Sequence, residues 1–215
     1  SAPMEYYDVG LTRGTGTGGR WPSNQLQGFE ATVAGYQRAV LGVASGLLRA
    51  IAAALDLSPD FFDARMTAPQ CFLRMMHYEP RPAEPDGEPV VLTDPHTDYG
   101  LITLLATDGV GGLEVRSRDG EWAMVSAPPG SLVVNLGDML ARWTNDHYVS
   151  TPHRVSAPSA SDRFSVPFFV NPDPDTVVSC LPSCVDADHP CRYPAVTASE
   201  FLAERIRQGG YMAAD

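Results

Sequence analysis

Apolar residues change their period near residue 70, and the change divides the chain into a helical part and a β part. From Gln27 to Asp56, residues Phe29, Val33, Tyr36, Val40, Ala44, Leu47, Ile51 and Leu55 recur every three or four positions. That is the spacing of one face of an α-helix, so a long amphipathic helix packing on a sheet is predicted. Ser58-Pro59 supplies a capping residue followed by proline at the first helical position, which predicts a short second helix through Met66. Ahead of these elements, residues 1–26 hold Gly14, Gly16, Gly18 and Gly19 with little apolar periodicity and read as an irregular, partly mobile leader.

After Pro69 the helical period stops. Gln70–Glu79 reads as a strand with alternating faces, and Pro80–Pro89 holds four prolines and reads as an exposed loop. Short apolar runs follow at Leu101–Thr107, Leu113–Arg116, Trp122–Val125, Ser131–Leu136, Val149–Val155 and Arg163–Val170, separated by Gly, Pro and Asp. Such a series predicts an antiparallel sandwich or barrel of jelly-roll type, interrupted by a brief helix at Asp138–Trp143. Thr197-Ala198-Ser199-Glu200 has capping-box spacing ahead of Phe201, Leu202 and Ile206, so a final helix is expected. No internal repeat is present. The organisation is therefore a leader with supporting helices (1–69), a β core (70–196) and a C-terminal helix (197–215) within one domain. Pro167 fits awkwardly inside a strand, because it removes a ladder donor, and predicts an edge or a bulge there.

Composition narrows the function classes. Among 215 residues, 15 Lys+Arg stand against 26 Asp+Glu, a formal net charge of −11. Surplus acid repels polyanions, which argues against nucleic acid and anionic membrane surfaces as partners. No run approaches the roughly 18–20 apolar residues of a membrane-spanning helix, and Ser1-Ala2-Pro3-Met4-Glu5 has neither the basic nor the apolar part of a secretory signal. Four cysteines, Cys71, Cys180, Cys184 and Cys191, are too few for a disulfide scaffold and are expected as reduced thiols in a cytoplasmic protein. Cys180, Cys184, His189 and Cys191 are spaced too loosely to read as a zinc site.

The chemistry is concentrated in Thr93-Asp94-Pro95-His96-Thr97-Asp98-Tyr99-Gly100. On an extended backbone, residues two apart share a face, so His96 and Asp98 present a nitrogen and a carboxylate oxygen to one point. His153, in Ser150-Thr151-Pro152-His153-Arg154-Val155, offers a third ligand. Two imidazoles and a carboxylate make the facial triad of non-haem Fe(II) sites, which leaves positions open for reactants. Arg163-Phe164-Ser165 places a guanidinium and a hydroxyl on one face, a combination suited to a carboxylate held in fixed orientation. Read alone, a single His-x-Asp is more often a satisfied surface pair, and Arg163 could serve in a structural ion pair. His77, His147 and His189 lack comparable support. Asp173 and Asp175, beside Pro172 and Pro174, read as a solvated turn.

Taken in order, His96-x-Asp98, His153 and Arg163-x-Ser165 resemble the isopenicillin N synthase-like branch of the Fe(II)/2-oxoglutarate-dependent oxygenases. So do Asn135-Leu136-Gly137-Asp138-Met139-Leu140, Val110-Gly111-Gly112-Leu113 and Asp119-Gly120-Glu121-Trp122. The resemblance implies a fold that is mainly β with flanking helices, a double-stranded β-helix of the jelly-roll, cupin-like class. It implies that His96, Asp98 and His153 bind Fe(II), and that Arg163 and Ser165, with Tyr78, hold the distal carboxylate of 2-oxoglutarate. At positions 76 and 77, Met and His stand where plant members of the family usually carry Asn and Tyr.

Strand parity places Arg74 and Met76 on the face of Tyr78, and Phe169 on the face of Arg163 and Ser165. Arg74, Tyr99 and Phe169 are the candidate contacts to a small-molecule substrate, against plainer readings of Arg74 in a salt bridge and Phe169 in the core. The implied activity uses O2 and 2-oxoglutarate, with ascorbate a candidate reductant, and yields succinate, CO2 and a hydroxylated, desaturated or cyclised product. Asp98 argues against halogenation, where related enzymes carry a small residue. Two alternatives stand beside it: a same-fold iron oxidase that does not use 2-oxoglutarate, and a non-catalytic jelly-roll module binding an anion. Family members usually begin well before Glu5-Tyr6-Tyr7-Asp8-Val9-Gly10, so the N-terminal part of the family domain is expected to be missing here, either because the chain is trimmed or because the numbering counts only ordered residues. The substrate and the oligomeric state are not legible.

Overall fold

The structure is a computed structural model and describes residues 4–11, 21–22, 25–81, 90–157 and 161–209. The glycine cluster at 14–19 and most of the proline-rich loop, residues 82–89, lie outside the described residues. In chain order the strands are β1 (Met4–Gly10), β2 (Phe72–Tyr78), β3 (Val90–His96), β4 (Ile102–Thr107), β5 (Leu113–Arg116), β6 (Trp122–Met124), β7 (Val133–Leu136), β8 (His153–Ala157), β9 (Arg163–Val170), β10 (Val177–Val178) and β11 (Val196–Thr197). Helices are α1 (Phe29–Ala54), α2 (Asp138–Trp143) and α3 (Ala198–Gln208).

Two antiparallel sheets make the jelly roll. One has the order β1-β2-β9-β4-β7 and the other β3-β8-β5-β6, with β10-β11 as a separate pair. The five-stranded sheet is covered on its outer face by α1. There Val33, Gln37, Val40, Ala44, Leu48 and Ala52 are buried at the predicted three- and four-residue steps, in one core with Val9, Leu73, Leu104, Phe168 and Phe201. Each large apolar side chain so buried contributes about 1.5–3 kcal/mol. Gln37 Nε2 donates to the Val9 carbonyl at 3.0 Å, satisfying a buried amide and tying α1 to β1.

Cross-strand register decides what faces inward, because directly paired residues share a face. Gly10, Phe72, Phe169, Thr103 and Asn135 form one row across the sheet. Met4, Tyr78 and Arg163 form another near its opposite end. Tyr78 packs with Leu92 and Val155 of the four-stranded sheet, and Met4 and Met76 join that cluster. This row therefore lies between the sheets.

Several expectations need correction. Met4–Gly10 is a strand of the main sheet and not part of an irregular leader. The second helix reduces to turns and a 3-10 helix at Asp63–Arg65, because the Ser58 hydroxyl bonds the Asp60 carboxylate in place of a backbone amide. Asp173 is no solvated turn residue: its carboxylate accepts from Thr67 N at 3.1 Å, Thr67 Oγ1 at 2.6 Å and Ala68 N at 2.6 Å. The strand expected from Val149 begins at His153. Pro167 is neither at an edge nor at a bulge: β9 is the central strand. Its pairing with β2 skips from Leu73↔Phe168 to Met76↔Ser165 in constant register, so the missing donor costs a ladder bond without displacing the strand. Cys180 and Cys191 form a disulfide, while Cys71 and Cys184 are free; four reduced thiols therefore no longer support a cytoplasmic location. Among the described residues no helix is long and apolar enough to cross a membrane.

Candidate metal centre

Asp98, His96 and His153 come from different places in the fold and meet at one point. His96 ends β3, Asp98 follows in the loop before β4, and His153 opens β8, where His96 and His153 are a registered pair. Their ligand atoms all lie within 4.8 Å of one another. Asp98 Oδ1 is 4.0 Å from His96 Nε2 and 3.8 Å from His153 Nε2. Among the described residues this is the one cluster of at least three such groups able to hold a metal ion.

The atoms that do not face the cluster are occupied. His96 Nδ1 is 2.8 Å from the Asp94 carbonyl and His153 Nδ1 is 3.1 Å from the Thr151 carbonyl. A carbonyl accepts only, so each Nδ1 carries the proton and each Nε2 keeps its lone pair for a metal. Asp98 Oδ2 accepts from Thr103 Oγ1 at 2.5 Å and from Asn135 Nδ2 at 2.8 Å, leaving Oδ1 toward the imidazoles. Burial lowers the pKa of His96, and the neighbouring His153 adds to that effect, although 41% of the His96 side chain is open to solvent. A neutral imidazole is the ligating form. The donor set, its tautomers and its supporting hydrogen bonds fit Fe(II).

Backbone contacts explain why the motif residues stand where they do. Asp138 N donates to the Asp98 carbonyl at 2.7 Å, and Gly137 N donates to the Leu101 carbonyl at 2.9 Å. The start of α2 therefore holds the ligand loop. A Cβ at Gly137 would overlap the Gly100 carbonyl, so this approach requires glycine. Gly112, at φ +115°, packs against the Ser156 carbonyl.

Arg163 and Ser165 are buried, with 2% and 3% exposure. Arg163 Nε donates to the Gly111 carbonyl at 3.1 Å, and its guanidinium lies 5.0 Å from the Tyr78 ring centroid. Its Nη1 has no hydrogen-bond partner among the described residues. A buried guanidinium with an unused N–H is costly unless an anion completes it, so the residue fits a carboxylate ligand. A cavity of about 160 Å³ opens beside it, lined by Thr107, Gly111, Leu113, Met124 and Val133. Tyr78 OH is 3.4 Å from Thr93 Oγ1. A larger cavity of about 490 Å³ between α2 and α3 touches none of the three ligands; donor chemistry, and not size, locates the centre.

The three substrate candidates separate. Phe169 faces inward opposite Thr103, which bonds Asp98, and stacks on Phe72 with centroids 4.5 Å apart. Arg74 also faces inward but is held by Asp8. Tyr99 lies against Arg205 of α3, 5.1 Å from ring centroid to guanidinium, and is not brought into the Phe169 wall. Thr103 and Asn135 carry roles that the sequence reading did not assign; Asn135 was at least part of a recognised motif.

Known proteins resemble this chain in sequence and in fold. Residues 69–172 match the model of the 2OG-Fe(II) oxygenase superfamily. A 2-oxoglutarate-Fe(II) type oxidoreductase of Aspergillus fumigatus is 38% identical over 191 residues, covering 87% of this chain and 56% of that protein. A full-length Neurospora crassa protein in complex with alpha-KG and 5-formyluracil superposes with a TM-score of 0.88 at 32% identity, covering 97% of this chain and 71% of the other. A 2OG-Fe(II) oxygenase family protein from Caulobacter crescentus gives 0.85 at 36%, covering 95% and 69%. The chain belongs to the Fe(II)/2-oxoglutarate-dependent oxygenases. It spans about half the length of the curated relatives it matches.

Proposed function

We propose that this chain carries the active site of an Fe(II)- and 2-oxoglutarate-dependent oxygenase that oxidises a small molecule with O2. The observation that carries the reading is the pairing of a convergent His96-Asp98-His153 cluster with a buried, incompletely partnered Arg163 on the inward face. His96 Nε2, His153 Nε2 and Asp98 Oδ1 would hold Fe(II). Arg163 Nη1 and the Ser165 hydroxyl would bind the distal carboxylate of 2-oxoglutarate, with the Tyr78 ring supporting the guanidinium. Bound there, the iron and 2-oxoglutarate supply an oxidant from O2 with release of succinate and CO2.

The remaining work falls to the protein. Thr103 and Asn135 fix the Asp98 rotamer, and the inward wall around Phe169 and Arg74 positions the substrate. Because Phe169 and Thr103 are directly paired, a molecule lying on Phe169 is brought next to the metal ligands. Tyr99, packed on Arg205, remains a candidate only at the edge of this wall.

Calorimetric titration of 2-oxoglutarate into Mn(II)-loaded protein tests the reading. Binding that requires both the metal and Arg163 supports it. Equal affinity in the Arg163→Ala variant, or binding without metal, would turn the assignment toward a 2-oxoglutarate-independent oxidase or a simple anion-binding module.

A further inference from the structure

The edge strand β1 extends the inward face of the five-stranded sheet and is separated by two strands from β4, whose Thr103 bonds Asp98. Its residues Tyr6, Asp8 and Gly10 pair with Met76, Arg74 and Phe72 and therefore share their face. Asp8 meets Arg74 in a two-point contact: Nε to Oδ1 at 2.7 Å and Nη2 to Oδ2 at 2.7 Å. The same guanidinium lies 4.4 Å from the Tyr6 ring centroid and 6.0 Å from that of Phe72. Arg74 is thus fixed in place with its charge neutralised by a fork-to-fork partner.

Next to this pair the wall is aromatic, and its two rings turn their faces to each other. Phe72 and Phe169 are stacked, 4.5 Å apart and 23° between planes. Among the described residues, a Cβ at Gly10, opposite Phe72, would meet nothing within 4 Å. The row continues through Phe169 to Thr103, which bonds Asp98.

We propose that Asp8 is a positioning residue which, by neutralising Arg74, selects an uncharged planar substrate with a polar edge and disfavours carboxylic acids. The inference rests on the oxygenase reading above and deepens it. An acid approaching Arg74 would meet a carboxylate already seated on the guanidinium, and displacing Asp8 would leave that carboxylate unpaired at the wall. Like charges brought together at a binding surface are strongly unfavourable. A neutral edge offering both a donor and an acceptor meets the outer atoms of an intact pair without breaking it, while the edges of the stacked Phe72 and Phe169 rings meet the flat face of the substrate edge-to-face.

Isosteric amide and acid pairs isolate charge from shape. Nicotinamide with nicotinate, indole-3-acetamide with indole-3-acetate, and cinnamamide with cinnamate are titrated into full-chain protein loaded with Mn(II) and 2-oxoglutarate. Dissociation constants are measured for wild type, Asp8→Asn and Asp8→Glu. The wild type is expected to bind the amide of any bound pair about tenfold or more tighter than the acid. Asp8→Asn removes the negative charge seated on the Arg74 guanidinium, so the ratio should fall at least about tenfold toward the acid. Asp8→Glu should restore the preference, which loss of folding could not do. Acids bound more tightly by the wild type, a ratio unchanged in Asp8→Asn, or no binding by any amide while 2-oxoglutarate binds normally would each overturn the proposal. Failure of 2-oxoglutarate itself to bind would instead strike the oxygenase reading.

Discussion

Asp98 divides its two oxygens between separate tasks, and the metal centre depends on that division. Oδ2 is held by Thr103 and Asn135, while Oδ1 faces both imidazoles. Replacing Thr103 by Val keeps the shape of the side chain and removes its hydroxyl, so the carboxylate loses one of its two anchors. Fe(II) affinity should fall about 10- to 100-fold with the fold intact, read by competition with a chromogenic chelator; unchanged affinity would show that the Asp98 rotamer is fixed by other means. Arg163→Ala should raise the apparent KM for 2-oxoglutarate far more than it lowers kcat, and Arg163→Lys should not restore it. One ammonium cannot serve the Gly111 carbonyl and a carboxylate in the fixed fork that arginine provides. At this scale the ligands were legible because their spacing on an extended backbone carries the chemistry. Thr103 was not, because an ordinary strand threonine acquires its role only when β4 carries it alongside the loop bearing Asp98.

Among the elements, β1 shows most clearly what a linear reading misses. In Met4-Glu5-Tyr6-Tyr7-Asp8-Val9-Gly10 both faces carry mixed residues, because one packs toward α1 and the other faces inward beside Arg74 and Phe72, and its partner lies more than sixty positions away. No simple alternation survives under those demands. Helix α1 was legible because it buries one continuous apolar face, and β9 because its apolar run from Val166 to Val170 is unbroken.

The edge position of β1 also makes it sensitive to pH. His77 on β2 bridges Glu5 of β1 and Asp162 before β9, at 3.2 Å and 2.7 Å. Its pKa is raised above 6.5, by Asp162 first and then Glu5. A raised value means that the folded state holds the proton more tightly than the unfolded chain does. The bridge therefore contributes fully below pH 6.5 and is lost as pH rises through the folded value. The Tm difference between wild type and His77→Gln should shrink as pH is raised from about 6 to about 9, and a difference independent of pH would contradict the bridge. Gly137→Ala should weaken metal binding as well as stability, since the added Cβ pushes α2 away from the loop that carries Asp98; differential scanning fluorimetry with and without Mn(II) separates the two effects.

For the molecule as a whole, the two sheets and the helices behind them form one frame. A single core joins α1, α3 and the outer face of the five-stranded sheet, while the inner face carries Thr103 and Asn135, which bond Asp98, the buried Arg163 and the Phe72-Phe169 stack. The acidic surplus of the sequence argues against polyanions at the surface, while the buried Arg163 is a local cation with an unused N–H among the described residues. The jelly-roll class followed from regularly spaced short strands, but the chain's joint use of β1, β2 and β9 did not, since sheet order depends on long-range pairing. The most direct test of the central claim is release of labelled CO2 from 1-labelled 2-oxoglutarate by the purified protein with Fe(II), O2 and ascorbate. Metal-dependent release that disappears in His96→Ala and His153→Ala variants which still fold is the expected result. Release that persists in both variants, or its absence from wild-type protein shown to bind Fe(II) and 2-oxoglutarate, would contradict the account.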